Sequence, residues 1–419
     1  MDVIIAFLNG VIEEVFIEHP NGFVIHEKES HVCRLKKALH GLKEAPRVWY
    51  ERIDQYLLSL GFLKNDADPN IYFKVIDVKA LILVLYIDDL FLTGEDDLIA
   101  RCKKELASEF EMKDLGLMYY SLGLEVWQRP NEVILSQEKY AIDLLKRFGM
   151  LDCKSMATPM EANLKKLHDV AISSDLVDPT MYRQLIGSLM YLVNTRLDIC
   201  YAVNTLSQFM CETRQIHFVA AKHILRYVRG TMGYGLKYTS CEVLNLQGFS
   251  DSDWAGCVPD RKNTSGCCFS LGSATIFWCS RKQSCVAQST TEVEYVASCV
   301  AASEVVWLRK LLAGLFGQHL EPIVILCVPG NNEARIASLD HQLHVNLPHS
   351  HWHESGHNIV DRQLKYRKLG PKNVSYNPLP AVNSKTCHDS PQGSPPNANK
   401  ERVHEIEGRN QSKVLAFMA

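Results

Sequence analysis

The segment from Ala80 to Ile87 is wholly apolar, ends in Asp88-Asp89, and is followed at once by a second strand-forming run, Leu90–Thr93. Eight apolar residues suit a buried strand and fall well short of the roughly 18 that span a membrane. Ile71–Val75 lies upstream across Asp77-Val78-Lys79, so these runs are expected to form a small antiparallel sheet. Its junction is unusual. Asn-Gly or Asp-Gly is preferred where a turn needs positive φ, whereas Asp-Asp sets two like charges side by side. A divalent cation would offset that repulsion, and hard carboxylate oxygens suit Mg²⁺. On these residues alone, a solvated hairpin turn is the simpler reading.

The flanking sequence supplies helices. From Arg47, the residues Trp49, Ile53, Tyr56, Leu57 and Leu60 share one helical face, with Pro46 suited to the first turn and Gly61 to the C-terminal end. Asp96 or Asp97 suits the cap of a helix carrying Leu98, Cys102, Leu106 and Phe110, and Ser136 the cap of one carrying Tyr140, Leu144, Leu145 and Phe148. Beyond a polar stretch, helices are expected near 179–195, 198–210 and 215–229, with Pro179 in a first turn and Asp198 as a cap. Strands return at Leu246–Ser250, Gly266–Leu271 and Ala274–Ser280, the last two joined by Gly272-Ser273. A long helix from Ser289 towards Leu315 and a strand at Ile323–Cys327 complete a β-β-β-α-β order. Past Pro371 the composition turns to Pro, Asn, Ser, Lys and Gly, too polar to pack a core.

A chain of 419 residues allows two to three domains, and 47% apolar with 22% charged residues is ordinary globular composition. The net charge of −3 excludes a global basic excess, so a nucleic-acid site must be a local patch. The 14 cysteines are scattered without a C-x-x-C pair, and no basic leader with an apolar stretch opens the chain. These features point to reduced thiols in a soluble, intracellular chain, cytoplasmic or nuclear, with no membrane contact.

Met1-Asp2-Val3 with Ala6-Phe7-Leu8-Asn9-Gly10, then Leu35–Arg47, then Tyr86-Ile87-Asp88-Asp89, resemble in order and spacing the reverse transcriptase of copia-type LTR retrotransposons. Phe110–Gly116, Ile186–Leu192 and His223–Tyr227 with Gly230-Thr231 look like the same family, and the resemblance covers about residues 1–365. It implies an α+β fold class. A polymerase palm, an antiparallel sheet with packed helices, would occupy residues 1–150, and thumb or connecting helices 151–243. A ribonuclease H-like α/β domain would occupy 244–370, and a disordered tail 371–419.

The resemblance makes Asp2, Asp88 and Asp89 the polymerase's catalytic metal ligands, holding Mg²⁺, or Mn²⁺ in its place, for an in-line phosphoryl transfer. Without it, Asp2 would read as part of a frayed terminus. RNA template, DNA primer, RNA-DNA hybrid and dNTPs are the implied partners. Arg34, Lys36, Lys37, Lys43, Arg47 and Arg52 face only Glu44 and Glu51, and the resemblance assigns Lys36, Lys37, Lys43 and Arg47 to template and nucleotide. Glu44 stands where the family commonly has Gln, which sets an anion where phosphates approach.

Phe249–Gly256 and Ser289–Tyr295 resemble the family's ribonuclease H strand and helix motifs, which makes Asp251 and Glu292 metal ligands there. Ser289 with Glu292 also fits a capping box. The family's Cys-Asp-Asn is replaced by Cys327-Val328-Pro329-Gly330-Asn331, leaving the uncharged Asn331 nearest to the missing carboxylate. His357–Asp361 resembles the closing motif and makes Asp361 a further ligand. Losing one carboxylate weakens Mg²⁺ binding, so little or no nuclease activity is expected. The histidines from His341 to His357 match no zinc spacing, and Trp254, Trp278 and Trp307 read as core residues before base-stacking ones. The chain starts at the first catalytic motif, without the fingers region of a complete enzyme, so an impaired polymerase is expected. The alternative is a relic that binds nucleic acid without turnover.

Overall fold

The computed structural model describes residues 1–20, 22–23, 31–77, 79–161, 167, 175–240, 245–253, 261–316 and 323–327, with the backbone of 334–338 and 343–345. Over these residues the chain is a mixed α/β protein built largely on antiparallel sheets. It forms two compact units, Met1–Met118 with Val306–Leu320, and Tyr119–Val305 with the residues from 321 onward.

The first unit is organised by a six-stranded sheet. Its strands are β1 (Asp2–Val3), β4 (Leu63–Lys64), β5 (Ile71–Ile76), β6 (Lys79–Tyr86), β7 (Asp89–Gly94) and β8 (Met112–Lys113), in the order β4-β5-β6-β7-β1-β8. A small ribbon, β2 (Phe16–Ile17) and β3 (Cys33–Arg34), stands beside it in sequence. Helices α1 (Ala45–Ser59) and α2 (Asp96–Glu109) bury Trp49, Ile53, Leu57, Leu98, Cys102 and Leu106 in one core with Leu81, Leu83 and Leu85. The continuous apolar run of β6 is thus explained by its central place in the sheet. Gly61 takes φ +81° just past α1, the left-handed stop that glycine adopts most readily. Asp96 and Asp97 lie inside the first turn of α2, after Glu95, and do not cap it; there their charge favours the helix dipole.

The second unit contains a sheet that the sequence reading did not anticipate. Strands β9 (Tyr120–Ser121), β10 (Leu124–Arg129) and β11 (Glu132–Ser136) are joined by the distant β12 (Gly235–Thr239), in the order β12-β11-β10-β9. Ser136 ends β11 and does not cap the next helix, α3 (Glu138–Arg147). The Glu125 carboxylate does so from β10, accepting from the Glu138 N–H at 3.0 Å, while the Ser136 hydroxyl donates to the same oxygen at 3.1 Å. Helices α4 (Pro179–Leu192), α5 (Cys200–Ser207) and α6 (Gln215–Gly230) bury Tyr182, Leu185, Leu189, Val203, Leu206 and Leu225 in a common core with Leu144 and Leu145. The Asp178 side chain caps α4 by accepting from the Thr180 N–H at 2.9 Å. Asp198, expected as a cap, is instead the ion-pair partner of Arg196.

The remaining sheet of this unit has the order β15-β14-β13-β16-β17-β18. Strand β13 (Leu246–Asp253) pairs antiparallel with β14 (Thr264–Leu271), and β14 with β15 (Ala274–Lys282), around the expected Gly272-Ser273 turn. Helix α7 (Thr290–Phe316) then leads to β16 (Val324–Cys327), which lies parallel to β13. Strands β17 (Ala334–Ser338) and β18 (Leu343–Val345) extend that edge. Trp278 and Trp307 are half-buried, and their indole N–H groups donate to the carbonyls of Val193 and Ala67, consistent with packing roles. Trp254 and the 371–419 tail lie outside the described residues, as do all side chains of the His341–His357 segment. No helix among the described residues is long and apolar enough to cross a membrane.

Candidate active site

Strands β1 and β7 run antiparallel with Asp2 opposite Asp89. Met1 and Leu90 exchange backbone hydrogen bonds in both directions, and the Val3 N–H donates to the Asp88 carbonyl at 2.9 Å. Asp2 and Asp89 are therefore the non-hydrogen-bonded pair in between, where Cα atoms come within about 4.5 Å and side chains share one face. Asp88 adjoins them in the two-residue turn Ile87-Asp88, closed by the Tyr86–Asp89 pair. The turn falls one residue earlier than the Asp88-Asp89 junction suggests, and so Asp89 belongs to the strand.

That turn is strained and braced. Ile87 adopts φ +53°, which is a steric outlier for a β-branched side chain. The indole N–H of Trp49, buried in α1, donates to the Ile87 carbonyl at 2.6 Å and holds the turn from below. Burial, then the charges of Asp88 and Asp2, push the Asp89 carboxyl up to about 6, against the opposing pull of the Met1 ammonium. A carboxyl whose pKa is raised on folding binds more protons in the native state than in the unfolded one between about pH 4 and 6, so its contribution falls as pH rises through that window. Asp89→Asn should therefore be more stable than the wild type at pH 7.5, with the difference shrinking through pH 6 and gone near pH 4. Urea midpoints across that range measure it, and a difference independent of pH would refute it.

The basic segment is tied close by in the chain. Leu35 N–H donates to the Val15 carbonyl, Lys37 bridges Val11, and Ala38 N–H donates to the Gly10 carbonyl, which lays residues 33–38 along residues 10–17. Lys36, Lys37, Lys43 and Arg47 are all exposed. Arg47 pairs with Glu51 at 2.9 Å, and Arg52 with Glu109. Ion pairs this exposed contribute little to stability, so Arg47 is available to an anion at small cost.

In the second unit Asp251 is buried in β13, where its Oδ1 accepts from the Ser252 N–H at 2.9 Å. Glu292 is exposed and is engaged in capping α7: its Oε2 accepts from the Gln288 N–H at 2.7 Å, and its own N–H donates to the Ser289 hydroxyl. One residue missed by sequence reasoning is Glu294. Burial raises the Cys327 thiol pKa, the Ser298 hydrogen bond opposes this, and the charges of Glu294 and Asp251 add to it, so both carboxylates lie near Cys327. Ser298 lies four residues beyond Glu294, and its hydroxyl is 3.2 Å from Cys327 Sγ, which marks the face of α7 turned to β16. Spacing was the available signal: the buried Val293, Ala297 and Ala301 set the inner face, and Glu294 adjoins it whereas Glu292 does not. Asn331 and Asp361 lie outside the described residues. Among those residues, no three His, Cys, Asp or Glu side chains are already gathered into a metal-holding set.

Residues 1–162 match the family model for reverse transcriptase (RNA-dependent DNA polymerase), which sets the class. The chain is 39% identical over 330 residues, 78% of its length, to the retrovirus-related Pol polyprotein from transposon RE2 of Arabidopsis thaliana, and spans 22% of that protein. It is 37% identical over 381 residues, 88% of its length, to the Pol polyprotein from transposon TNT 1-94 of Nicotiana tabacum, and spans 28% of it. It is 32% identical over 310 residues, 73% of its length, to the putative transposon Ty5-1 protein of Saccharomyces cerevisiae, whose whole length it covers. The chain belongs to the copia-type retrotransposon Pol family.

Proposed function

We propose that this chain is the reverse transcriptase portion of a retrotransposon Pol polyprotein, with an RNA-directed DNA polymerase palm over residues 1–150. The observation that carries the reading is the strand pairing that sets Asp2 against Asp89, with Asp88 in the adjoining turn. Three carboxylates at one sheet end, one of them held half-neutral near pH 6, are a donor set that suits a hard divalent ion. Asp2, Asp88 and Asp89 would hold Mg²⁺, which when bound lowers the charge on an attacking 3′-oxygen and on leaving pyrophosphate. The chain's own contributions are distinct. Lys36, Lys37, Lys43 and Arg47 attract the phosphates of template, primer and dNTP, Glu44 repels them, and Trp49 fixes the turn that presents Asp88. Helices over 151–243 would act as thumb or connection, and 244–370 as a ribonuclease H-like domain acting on RNA-DNA hybrid. There Asp251 and Glu294 are the better-supported pair, since Glu292 is engaged in capping.

The test is primer extension on an RNA template annealed to a DNA primer, each strand carrying its own end label, with dNTPs and Mg²⁺. Weak Mg²⁺-dependent extension is expected, and Asp88→Asn, which removes a metal ligand, should abolish it. Folded wild-type protein that binds the duplex in a salt-dependent manner but extends nothing would leave the binding relic as the function instead.

A further inference from the structure

Cys267 of β14 and Cys279 of β15 are direct partners in the antiparallel register, with their Sγ atoms 3.0 Å apart. Both are free thiols. Cys267 is buried and Cys279 is half-buried, so the latter is the one open to a small solute. Directly opposed residues of an antiparallel pair have Cα atoms about 4.5 or 5.5 Å apart, and both spacings fall within the roughly 4.4–6.8 Å that a disulfide spans. The neighbouring Cys268 pairs with Trp278 instead and, by strand alternation, lies on the other face.

We propose that Cys267 and Cys279 form a redox-sensitive pair that closes to a cross-strand disulfide on exposure to a peroxide. The Cys279 thiol gives up its proton and the thiolate attacks the peroxide: an S–O bond forms, the O–O bond breaks, and the leaving hydroxide takes up that proton and departs as water. The Cys267 sulfur then attacks the sulfenic sulfur, the S–S bond forms, the S–O bond breaks, and a second water leaves. Two thiols lose two electrons and two protons, and one peroxide becomes two waters. The charge distribution suits this order of attack. The hydrogen bond from Cys267 lowers the Cys279 thiol pKa, burial opposes it, Arg281 lowers it further and Glu304 opposes it. That hydrogen bond, burial, and the charges of Cys279, Cys268 and Glu304 all raise the pKa of Cys267. Since Ser250 is paired with Cys267, the bond would close one strand away from the β13 segment that carries Asp251.

The test uses the full chain with hydrogen peroxide, followed by unfolding in guanidinium, alkylation with N-ethylmaleimide, trypsin digestion without reductant, and mass spectrometry. Lys262 and Arg281 bound one tryptic peptide that contains Cys267, Cys268 and Cys279. Without peroxide it should take up three alkyl groups. After peroxide it should take up one, on Cys268, with the loss of two hydrogens, and dithiothreitol should restore all three. In Cys268→Ser, peroxide should leave no alkylation on this peptide. Three alkyl groups after peroxide, a bond that uses Cys268, or oxygen added to Cys279 without a bond would overturn the proposal. The wild-type digest decides it alone, so a variant that fails to fold leaves the result standing.

Discussion

Trp49→Ala should be among the most damaging single substitutions in the first unit, costing about 3–5 kcal/mol of stability. Trp49 is 2% exposed in α1, packs edge-on against Phe110 with ring centroids 5.3 Å apart, and gives its indole N–H to the Ile87 carbonyl. Truncation opens a cavity in the core that joins α1 to β6 and also frees the carbonyl that steadies a left-handed isoleucine. Trp49→Phe separates the two effects. It keeps most of the apolar volume and loses the hydrogen bond, so it should cost only about 1–2 kcal/mol, while any primer extension should fall by more than that stability loss explains. Urea unfolding of both variants, read beside extension rates at a temperature where each is folded, measures the separation. Trp49→Phe that extends primers as the wild type does would show that the indole N–H does not brace the turn.

Asp198→Ala should cost a similar amount, about 3–5 kcal/mol, because it strands a buried cation. The Arg196 side chain is 1% exposed, with Nη2 at 2.8 Å and Nε at 3.0 Å from the Asp198 carboxylate. Its Nη1 donates to the Thr231 carbonyl at 2.9 Å, and the Tyr227 hydroxyl donates to Asp198 at 2.8 Å, so the pair ties the loop after α4 to both ends of the last turn of α6. Losing the carboxylate leaves a guanidinium desolvated and uncompensated, which costs far more than the net worth of the pair. Arg196→Met combined with Asp198→Leu should therefore recover most of the loss, since well-packed apolar replacements of buried ion pairs are often neutral. Thermal unfolding of the single and double variants distinguishes the cases. A double variant as unstable as Asp198→Ala would show that the hydrogen bonds to Thr231, and not the charge, hold the loop.

Local pattern carried much of the architecture. The apolar period placed α1 within two residues, and apolar runs and β-branching placed β5, β6, β7 and β13–β16, but not β17 and β18, because those signals depend only on which face is buried. The catalytic candidates were legible through motif order: Asp2 has no local signal of its own, yet its position before the Ala6–Gly10 segment and the later Asp88-Asp89 marked it. Caps were less legible. Asp96, Asp97, Ser136 and Asp198 all have the right chemistry for an N-cap, and none serves as one, since a cap depends on where the backbone turns and on competing partners such as Glu125 and Arg196.

By itself the sequence determined the family, most of the helices, the strands β5–β7 and β13–β16, and the presence of three candidate carboxylates. Those follow from periodicity and residue order, which are properties of the chain read in one dimension. Only the tertiary structure decided that β12 joins the sheet of β9–β11 a hundred residues away, because an edge strand is chosen by open backbone groups and not by its own five residues. It also decided that Asp2 stands opposite Asp89, that Glu294 lies near Cys327 while Glu292 caps α7, and that Cys267 meets Cys279. For the strand pairs the physical reason is common: register between distant strands is set by collective burial, and a shift of one residue would turn Asp2 away from Asp89, or Cys267 away from Cys279, to the opposite face.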